Sequence, residues 1–493
     1  MQRITSASVA DLFDVAGTRQ IEQAAAAALP PHTLMQRAGL AVARLAMAVA
    51  PHAGTVWVAC GPGNNGGDGL EAAAQLRLRG FAPVVTLAGD AARLPPDAAD
   101  SLLRAREAGV TFAASPPTHW DLAIDAVLGI GATRPPEGAL ADWLDRMHAG
   151  AAPVLSVDVP SGLDADTGRL ARTAATPGDS QRAPRFCLTL LTLKPGLFTA
   201  DGRDAAGEVW FDDLGCDPAI RSAATPVARL FGAPAPAMRL HASHKGSYGD
   251  VAVIGGAPGM AGAAWMAASA ALHGGAGRVF LGLLDPHASE TVGAQPELML
   301  RRPESIDLAA MTVVCGCGGS DAVHAVLPRV IAMSARLVLD ADALNAVARD
   351  PALQTLLAAR RGQGREHPTV LTPHPLEAAR LLGVDTAALQ SDRPKAARDL
   401  AARYGAVVAL KGSGSIIAAP DARTAINLSG NARLATAGTG DVLAGMVGAA
   451  LARSESAVEA ARSAVWRHGD LADRWPADVP LTAGALARGS IPR

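Results

Sequence analysis

The residues best suited to chemistry lie where short apolar runs end. An apolar run over 55–60 leads into Gly61-Pro62-Gly63-Asn64-Asn65-Gly66-Gly67-Asp68-Gly69. Gly61, Gly63 and Gly66 satisfy a G-x-G-x-x-G spacing, which lets backbone approach a pyrophosphate and aims amides from a helix start. Asp68 would repel a phosphate unless it points away, and Asn64 and Asn65 add carbonyl oxygens that a plain phosphate loop does not need. A ligand-free glycine turn is the plain alternative, but a loop at a strand's carboxyl end is where α/β proteins bind ligands. Asp125 closes a second apolar run and precedes Gly129-Ile130-Gly131-Ala132-Thr133-Arg134-Pro135. Asp158 closes a third and opens Asp158-Val159-Pro160-Ser161-Gly162-Leu163-Asp164. One such carboxylate can be a helix cap; three polar strand ends on one edge argue for a site. Lys194, in Thr192-Leu193-Lys194-Pro195, reads equally as a reactive partner and as a solvated loop lysine.

The second half repeats the pattern with other residues. His244-Lys245-Gly246-Ser247-Tyr248-Gly249, Cys315-Gly316-Cys317-Gly318-Gly319, Leu371-Thr372-Pro373-His374-Pro375, Leu410-Lys411-Gly412-Ser413-Gly414-Ser415 and Ala437-Gly438-Thr439-Gly440-Asp441 adjoin apolar runs. Each could be a turn; together they suggest a nucleotide site. Gly438–Asp441 opens a helix over 442–452, whose amides would face a transferring phosphoryl group. Asp441 is placed to take a proton from an attacking hydroxyl, or to cap the helix. His374, between two prolines, has a structural as well as a functional reading.

These loops need strands to hold them. Near-continuous apolar runs predict strands over 55–60, 83–88, 122–127, 153–158 and 186–192, separated by Ala-rich helices, which indicates a parallel sheet covered on both faces. Helices are expected over 14–29 and 33–50. Periodicity fails between about 217 and 240, where Ala and Pro dominate, so the expected division is a domain over 1–216, a linker over 217–240 and a domain over 241–493. In the last, strands are expected over 250–254, 278–284, 311–315, 336–339, 369–371 and 407–410.

Composition agrees with a two-domain enzyme. The 493 residues are 49% hydrophobic and 18% charged, enough to bury two cores. The formal charge of −2, with no dense run of Lys or Arg, speaks against nucleic acid or a membrane surface as partner. Cys60, Cys187, Cys216, Cys315 and Cys317 form no disulfide framework; Cys315 and Cys317 read as buried small residues rather than half a metal site. The N-terminus lacks a signal pattern. The uncharged stretch 251–277 is broken by Pro258 and Gly pairs, and so reads as strand, loop and packed helix rather than membrane span. A soluble, cytoplasmic protein is expected.

The stretches GPGNNGGDG, DAVLGIG and SVDVPSGLDADTG resemble the NAD(P)H-hydrate epimerase family across about residues 10–215. The resemblance implies a Rossmann-like doubly wound α/β domain in which Asn64, Asn65, Gly66, Gly67, Asp68, Gly129, Ile130, Gly131, Ala132, Thr133, Arg134 and Pro135 bind the hydrate. It further implies that Asn65, Asp125 and Ser161 hold a potassium ion, and that Asp158 binds substrate and serves as acid/base. Gly129-Ile130-Gly131 departs from the family's usual Gly-Thr-Gly and removes a hydroxyl. The hydrated ring carries its hydroxyl beside nitrogen, a hemiaminal that opens reversibly, so one carboxylate moving a proton suffices for epimerisation.

HKGSYG, TPHP, LKGSGS and NLSGNARLATAGTGDVLAG resemble the ADP/ATP-dependent NAD(P)H-hydrate dehydratase branch of the ribokinase-like superfamily, across about residues 240–490. This implies that Ala263, Gly318, His374 and Asp441 contact the hydrate. It implies that Lys411, Gly412, Ser413, Gly414, Ser415 and Gly440 contact ADP, or ATP, with Mg2+, and that Asp441 is catalytic. Gly316-Cys317-Gly318-Gly319 departs from the usual Gly-Pro-Gly-Leu. The expected substrates are NADH hydrate and NADPH hydrate; phosphorylating the hemiaminal hydroxyl turns it into a leaving group, so dehydration is coupled to nucleotide cleavage. A homo-oligomer is expected, although no sequence feature sets its size. Two alternatives stay open: a ribokinase-like small-molecule kinase, and a non-catalytic Rossmann-like binding domain at the N-terminus.

Overall fold

The structure is a computed structural model. It describes all residues except 132–134, 172–182, 236–239, 289–294, 362–366, 455, 490 and 492–493. The chain divides into two compact units, one of residues 1–5 and 10–228, the other of residues 6–9 and 229–493.

The first unit is built on an eight-stranded sheet. Its centre runs Arg185–Leu190, Val154–Val157, Leu122–Ala126, Thr55–Cys60, Ala82–Leu87, all parallel. Thr55–Cys60 and Leu122–Ala126 are neighbours although Ala82–Leu87 comes between them in sequence, so strand order reverses between these two, the topological switch point at which doubly wound sheets bind ligands. The strands are buried throughout, with Val56, Trp57, Val58, Ile124 and Leu155 at zero exposure, which is why they read as continuous apolar runs. Helices Val15–Ala27 and Thr33–Val49 precede these central strands, and Asp14 caps the first by accepting from Gly17 N–H.

The second unit carries parallel strands in the order Arg278–Leu283, Asp250–Gly255, Thr312–Cys315, Arg336–Leu339, Thr369–Leu371, Val407–Leu410. Two antiparallel strands, Ile416–Ala419 and Ala422–Asn427, extend it. The uncharged 251–277 stretch is strand Asp250–Gly255 followed by helix Ala261–His273. No helix among the described residues is long and apolar enough to cross a membrane. Within the stretch expected as linker, Pro218–Ala223 forms a 3-10 turn capped by Asp217 and Ala228–Phe231 forms a strand. Its Ala-Pro composition hides a short apolar segment, Ala228, Leu230 and Phe231, that is buried.

Candidate active sites

In the first unit, a cavity of about 540 Å3 opens at the switch point. Pro62–Asn65 and Asp68 line it from one strand end, Val127–Gly131 from the next, Asp158 from the third, and Thr18, Arg19 and Glu22 from helix Val15–Ala27. Asn64 through Asp68 do not form a loop ahead of a helix. They are its first turns, since the helix spans Asn64–Leu78. The cause is close approach: a Cβ on Gly66 would lie 2.0 Å from the Gly61 carbonyl oxygen, and one on Gly61 would lie 1.8 Å from that of Val127. Only glycine lets the helix start flush against both strand ends. Ala132, Thr133 and Arg134 lie outside the described residues.

Asp158 has a left-handed backbone, φ +64°, a conformation that non-glycine residues adopt at a cost and that concentrates at functional sites. It turns the carboxylate toward Lys194. Lys194 is wholly buried, not a solvated loop residue. Its Nζ donates to Asp158 Oδ1, to Thr189 Oγ1 at 3.1 Å and to the Leu190 carbonyl at 2.9 Å, so three protons meet three acceptors. Leu190 N–H also donates to Asp158 Oδ1, at 3.0 Å. Burial, then Asp158, Glu22 and Asp97, holds the Asp68 carboxyl well above the ordinary range; burial and Asp158 also raise Glu22. Sequence reasoning passed over Glu22, although Thr18, Arg19 and Glu22 sit at helical spacing, one turn apart, on a helix that also carries buried Ile21 and Ala25.

Asp125 and Ser161 are paired and buried behind Leu128, whose N–H donates to Ser161 Oγ at 2.8 Å. Ser161 Oγ lies 2.5 Å from Asp125 Oδ1, and Ser161 N–H donates to Asp125 Oδ2 at 2.9 Å. Burial raises the Asp125 carboxyl against these hydrogen bonds, which lower it. Asn65 lines the cavity, and its Nδ2 is buried without a hydrogen-bond partner. A Cβ on Gly129 would sit 3.2–3.4 Å from the Asn65 side chain. A carboxylate, a hydroxyl, the Leu128 carbonyl and the Asn65 amide oxygen offer hard oxygen ligands with no imidazole or thiolate, a set that fits a hard, weakly held cation.

The second unit gathers its polar residues at the carboxyl ends of its parallel strands. Helix Thr439–Arg453 starts at Gly438, φ +89°. Lys411 does not extend into solvent: Nζ lies 2.6 Å from Asp340 Oδ1 and 3.9 Å from Glu377 Oε2. Thr372 Oγ1 donates to the same Asp340 oxygen at 2.8 Å. A Cβ on Gly440 would be 3.3 Å from Lys411 Nζ, which places the helix start against the ammonium. Burial first, then Asp340, pushes Asp441 up to about 6, while Cys317 and Lys411 pull it down. Burial pushes Glu377 up to about 7.

His374 caps helix Pro375–Leu382: its Nδ1 accepts from Leu376 and Glu377 N–H, and Glu377 Oε2 accepts from His374 N–H at 2.8 Å. The ring thus serves as a helix cap, and its Nε2 is 3.2 Å from Glu377 Oε1. Ala263 and Gly318 are adjacent, since a Cβ on Gly318 would lie 2.8 Å from Ala263 Cβ. Lys411–Ser415 joins strands Val407–Leu410 and Ile416–Ala419, with Gly412 at φ +130° and Gly414 at φ +60°. Asp340 and Glu377 went unnoticed in the sequence. Asp340 closes apolar strand Arg336–Leu339, the same signal that marked Asp125 and Asp158, and Glu377 stands three residues after His374, the spacing of a capping box.

Comparison with known proteins gives the same division. The family described as YjeF-related protein N-terminus matches residues 31–196, and that described as NAD(P)H-hydrate dehydratase matches residues 251–489. A bifunctional NAD(P)H-hydrate repair enzyme of Escherichia coli is 37% identical over 90% of this chain and 85% of its own length. An ADP-dependent (S)-NAD(P)H-hydrate dehydratase of Neisseria meningitidis is 41% identical over 50% of this chain and 84% of its own. A solved ADP/ATP-dependent NAD(P)H-hydrate dehydratase of Bacillus subtilis, co-crystallised with ATP and Mg2+, is 31% identical, covers 51% of this chain and 91% of that chain, and superposes with a TM-score of 0.44. The chain belongs to the family of bifunctional NAD(P)H-hydrate repair enzymes.

Proposed function

We propose that this chain repairs hydrated nicotinamide cofactors. Its first unit interconverts the R and S forms of NADH hydrate and NADPH hydrate. Its second returns the S form to NADH or NADPH by cleaving ADP to AMP and phosphate, with ATP as the alternative nucleotide. The observation that carries this reading is the buried Lys194–Asp158 pair on a cavity at a switch point, in one chain with Asp441 at a helix start beside Lys411.

At the first site Asp158 takes the hemiaminal proton as the ring opens and returns it when the hydroxyl has re-formed on either face. Lys194 holds that carboxylate in place. Asn64–Asp68 and the residues from Gly129 surround the hydrate. Asn65, Asp125 and Ser161 would hold a potassium ion, which when bound supplies a fixed positive charge beside the substrate. At the second site Asp441 removes the hydroxyl proton as the oxygen attacks the terminal phosphoryl group of the nucleotide. The N–H groups from Gly438 onward face the charge on the moving group. The ring nitrogen then expels phosphate, and a neighbouring carbon gives up a proton to restore the reduced ring. Mg2+ enters with the nucleotide. A cytoplasmic location accords with five free cysteines.

The test is stoichiometric. Purified protein given hydrated NADH and ADP should yield one reduced cofactor and one phosphate per ADP cleaved. A non-hydrolysable ADP analogue supporting dehydration at a comparable rate would rule out phosphoryl transfer, and a stable phosphorylated product would favour a simple kinase.

A further inference from the structure

Asp441 has a neighbour with no part in the reaction above. Cys317, just past strand Thr312–Cys315, is buried. Its sulfur and the nearest carboxylate oxygens of Asp340 and Asp441 all lie within 4.8 Å of one another. The thiol lies within that separation of the Asp441 carboxylate, and since an ionised carboxylate only accepts, the S–H is the group able to donate to it. The loop that carries it has no slack: Gly256 N–H donates to the Cys317 carbonyl at 2.9 Å, Ala257 N–H to the Gly318 carbonyl at 2.7 Å, and a Cβ on Gly255 would come within 2.3 Å of the Cys317 oxygen. It is also a residue at which this chain departs from the pattern that it otherwise resembles, Cys standing where Pro is usual.

We propose that Cys317 is a positioning residue for Asp441: its S–H fixes the carboxylate that takes the substrate proton. The inference rests on the reading of Asp441 as the dehydratase base. The other groups facing Asp441 are Asp340 at the end of Arg336–Leu339, Asp342 on helix Ala341–Arg349 and Lys411 after Val407–Leu410. Glu377 and His374 lie beyond Lys411, and His468 of helix Ala457–Asp473 hydrogen-bonds the Thr439 carbonyl. Burial and Asp340 favour the protonated carboxyl, and Lys411 opposes them. The thiol adds a donor that prefers the ionised form, so its loss moves Asp441 upward.

The experiment is the pH profile of kcat/KM for the hydrate, with saturating ADP, for wild type, Cys317→Ala, Cys317→Ser and Asp441→Asn. In Cys317→Ala the acid limb should move up by about half a unit to one unit, with the plateau above pH 8 within about threefold of wild type. Cys317→Ser, whose hydroxyl donates, should bring the limb back to the wild-type position or below it. An unmoved limb in Cys317→Ala, or a Ser limb above that of wild type, overturns the proposal. If Cys317→Ala folds poorly, seen as loss of its ADP-dependent rise in melting temperature, the Ser limb alone decides. Asp441→Asn separates the two readings: retained dehydratase activity sinks Asp441 as base, whereas an inactive Asp441→Asn with an unmoved Cys317→Ala limb sinks only the role of Cys317.

Discussion

Lys411 Nζ sits 2.6 Å from Asp340 Oδ1, a pairing across 71 residues that joins the ends of two parallel strands. Asp340 is buried and shares the ammonium with Glu377, so one cation serves two carboxylates next to a third, Asp441. Lys411→Ala should therefore do more than weaken nucleotide binding. It leaves a buried carboxylate without its partner, destabilising the second unit by about 3 kcal/mol, and it moves Asp441 upward. Dehydratase activity at pH 7 should fall in kcat as well as rise in nucleotide KM. A change confined to nucleotide KM, with melting temperature unchanged, would show that the pair has no such role.

The buried Lys194–Asp158 pair leads to a second expectation. Lys194→Met and Asp158→Asn should each slow epimerisation at least about 100-fold while leaving dehydration of purified S-hydrate near normal. Following the two epimers chromatographically, with and without ADP, reads both activities from one sample. If Lys194→Met keeps more than a tenth of the epimerase rate, the lysine is only a structural partner.

Potassium should matter to the first unit alone. Exchanging it for tetramethylammonium should lower the epimerase rate and the melting temperature of the first unit, and Ser161→Ala should blunt both effects. Stoichiometric zinc found by metal analysis would overturn the oxygen-ligand reading, because neither imidazole nor thiolate is in the set.

His468 supplies a pH test of stability. It is buried, its Nε2 lies 2.9 Å from the Thr439 carbonyl, and burial pushes its pKa down to about 4 from 6.5. The folded state therefore binds its proton less readily than the unfolded chain. Its stabilising contribution is complete above about pH 6.5 and is lost as pH falls toward 4, by at most roughly 3 kcal/mol. His468→Gln should flatten the melting temperature of the second unit over that window; an equally steep fall in the variant would assign the loss to other groups.

What could be read in advance was whatever leaves a local trace. Strands Thr55–Cys60, Arg336–Leu339, Thr369–Leu371 and Val407–Leu410 lie where uninterrupted apolar runs put them, because both faces of a parallel strand are buried. Asp125, Asp158 and Asp441 stand out as carboxylates at or near the end of a strand or in the first turn of a helix. What escaped depends on partners distant in sequence. Nothing near Lys194 says that Asp158 and Thr189 will bury it, and nothing near Lys411 points to Asp340. The helix beginning at Asn64 was hidden because its glycines look like loop until the Gly61 and Val127 carbonyls are in place.

The left-handed backbone of Asp158 also bears on how this site could decay. Apart from glycine, only Asn and Asp take φ near +60° without much penalty. A lineage that no longer needed the carboxylate could replace it by Asn or Gly while keeping the turn, whereas most other residues would strain the backbone as well as remove the charge. Loss of activity at this position should leave a recognisable scar, Asn or Gly between an intact apolar strand and an intact Val-Pro-Ser-Gly, so that retired copies of the domain could be told from working ones by one residue.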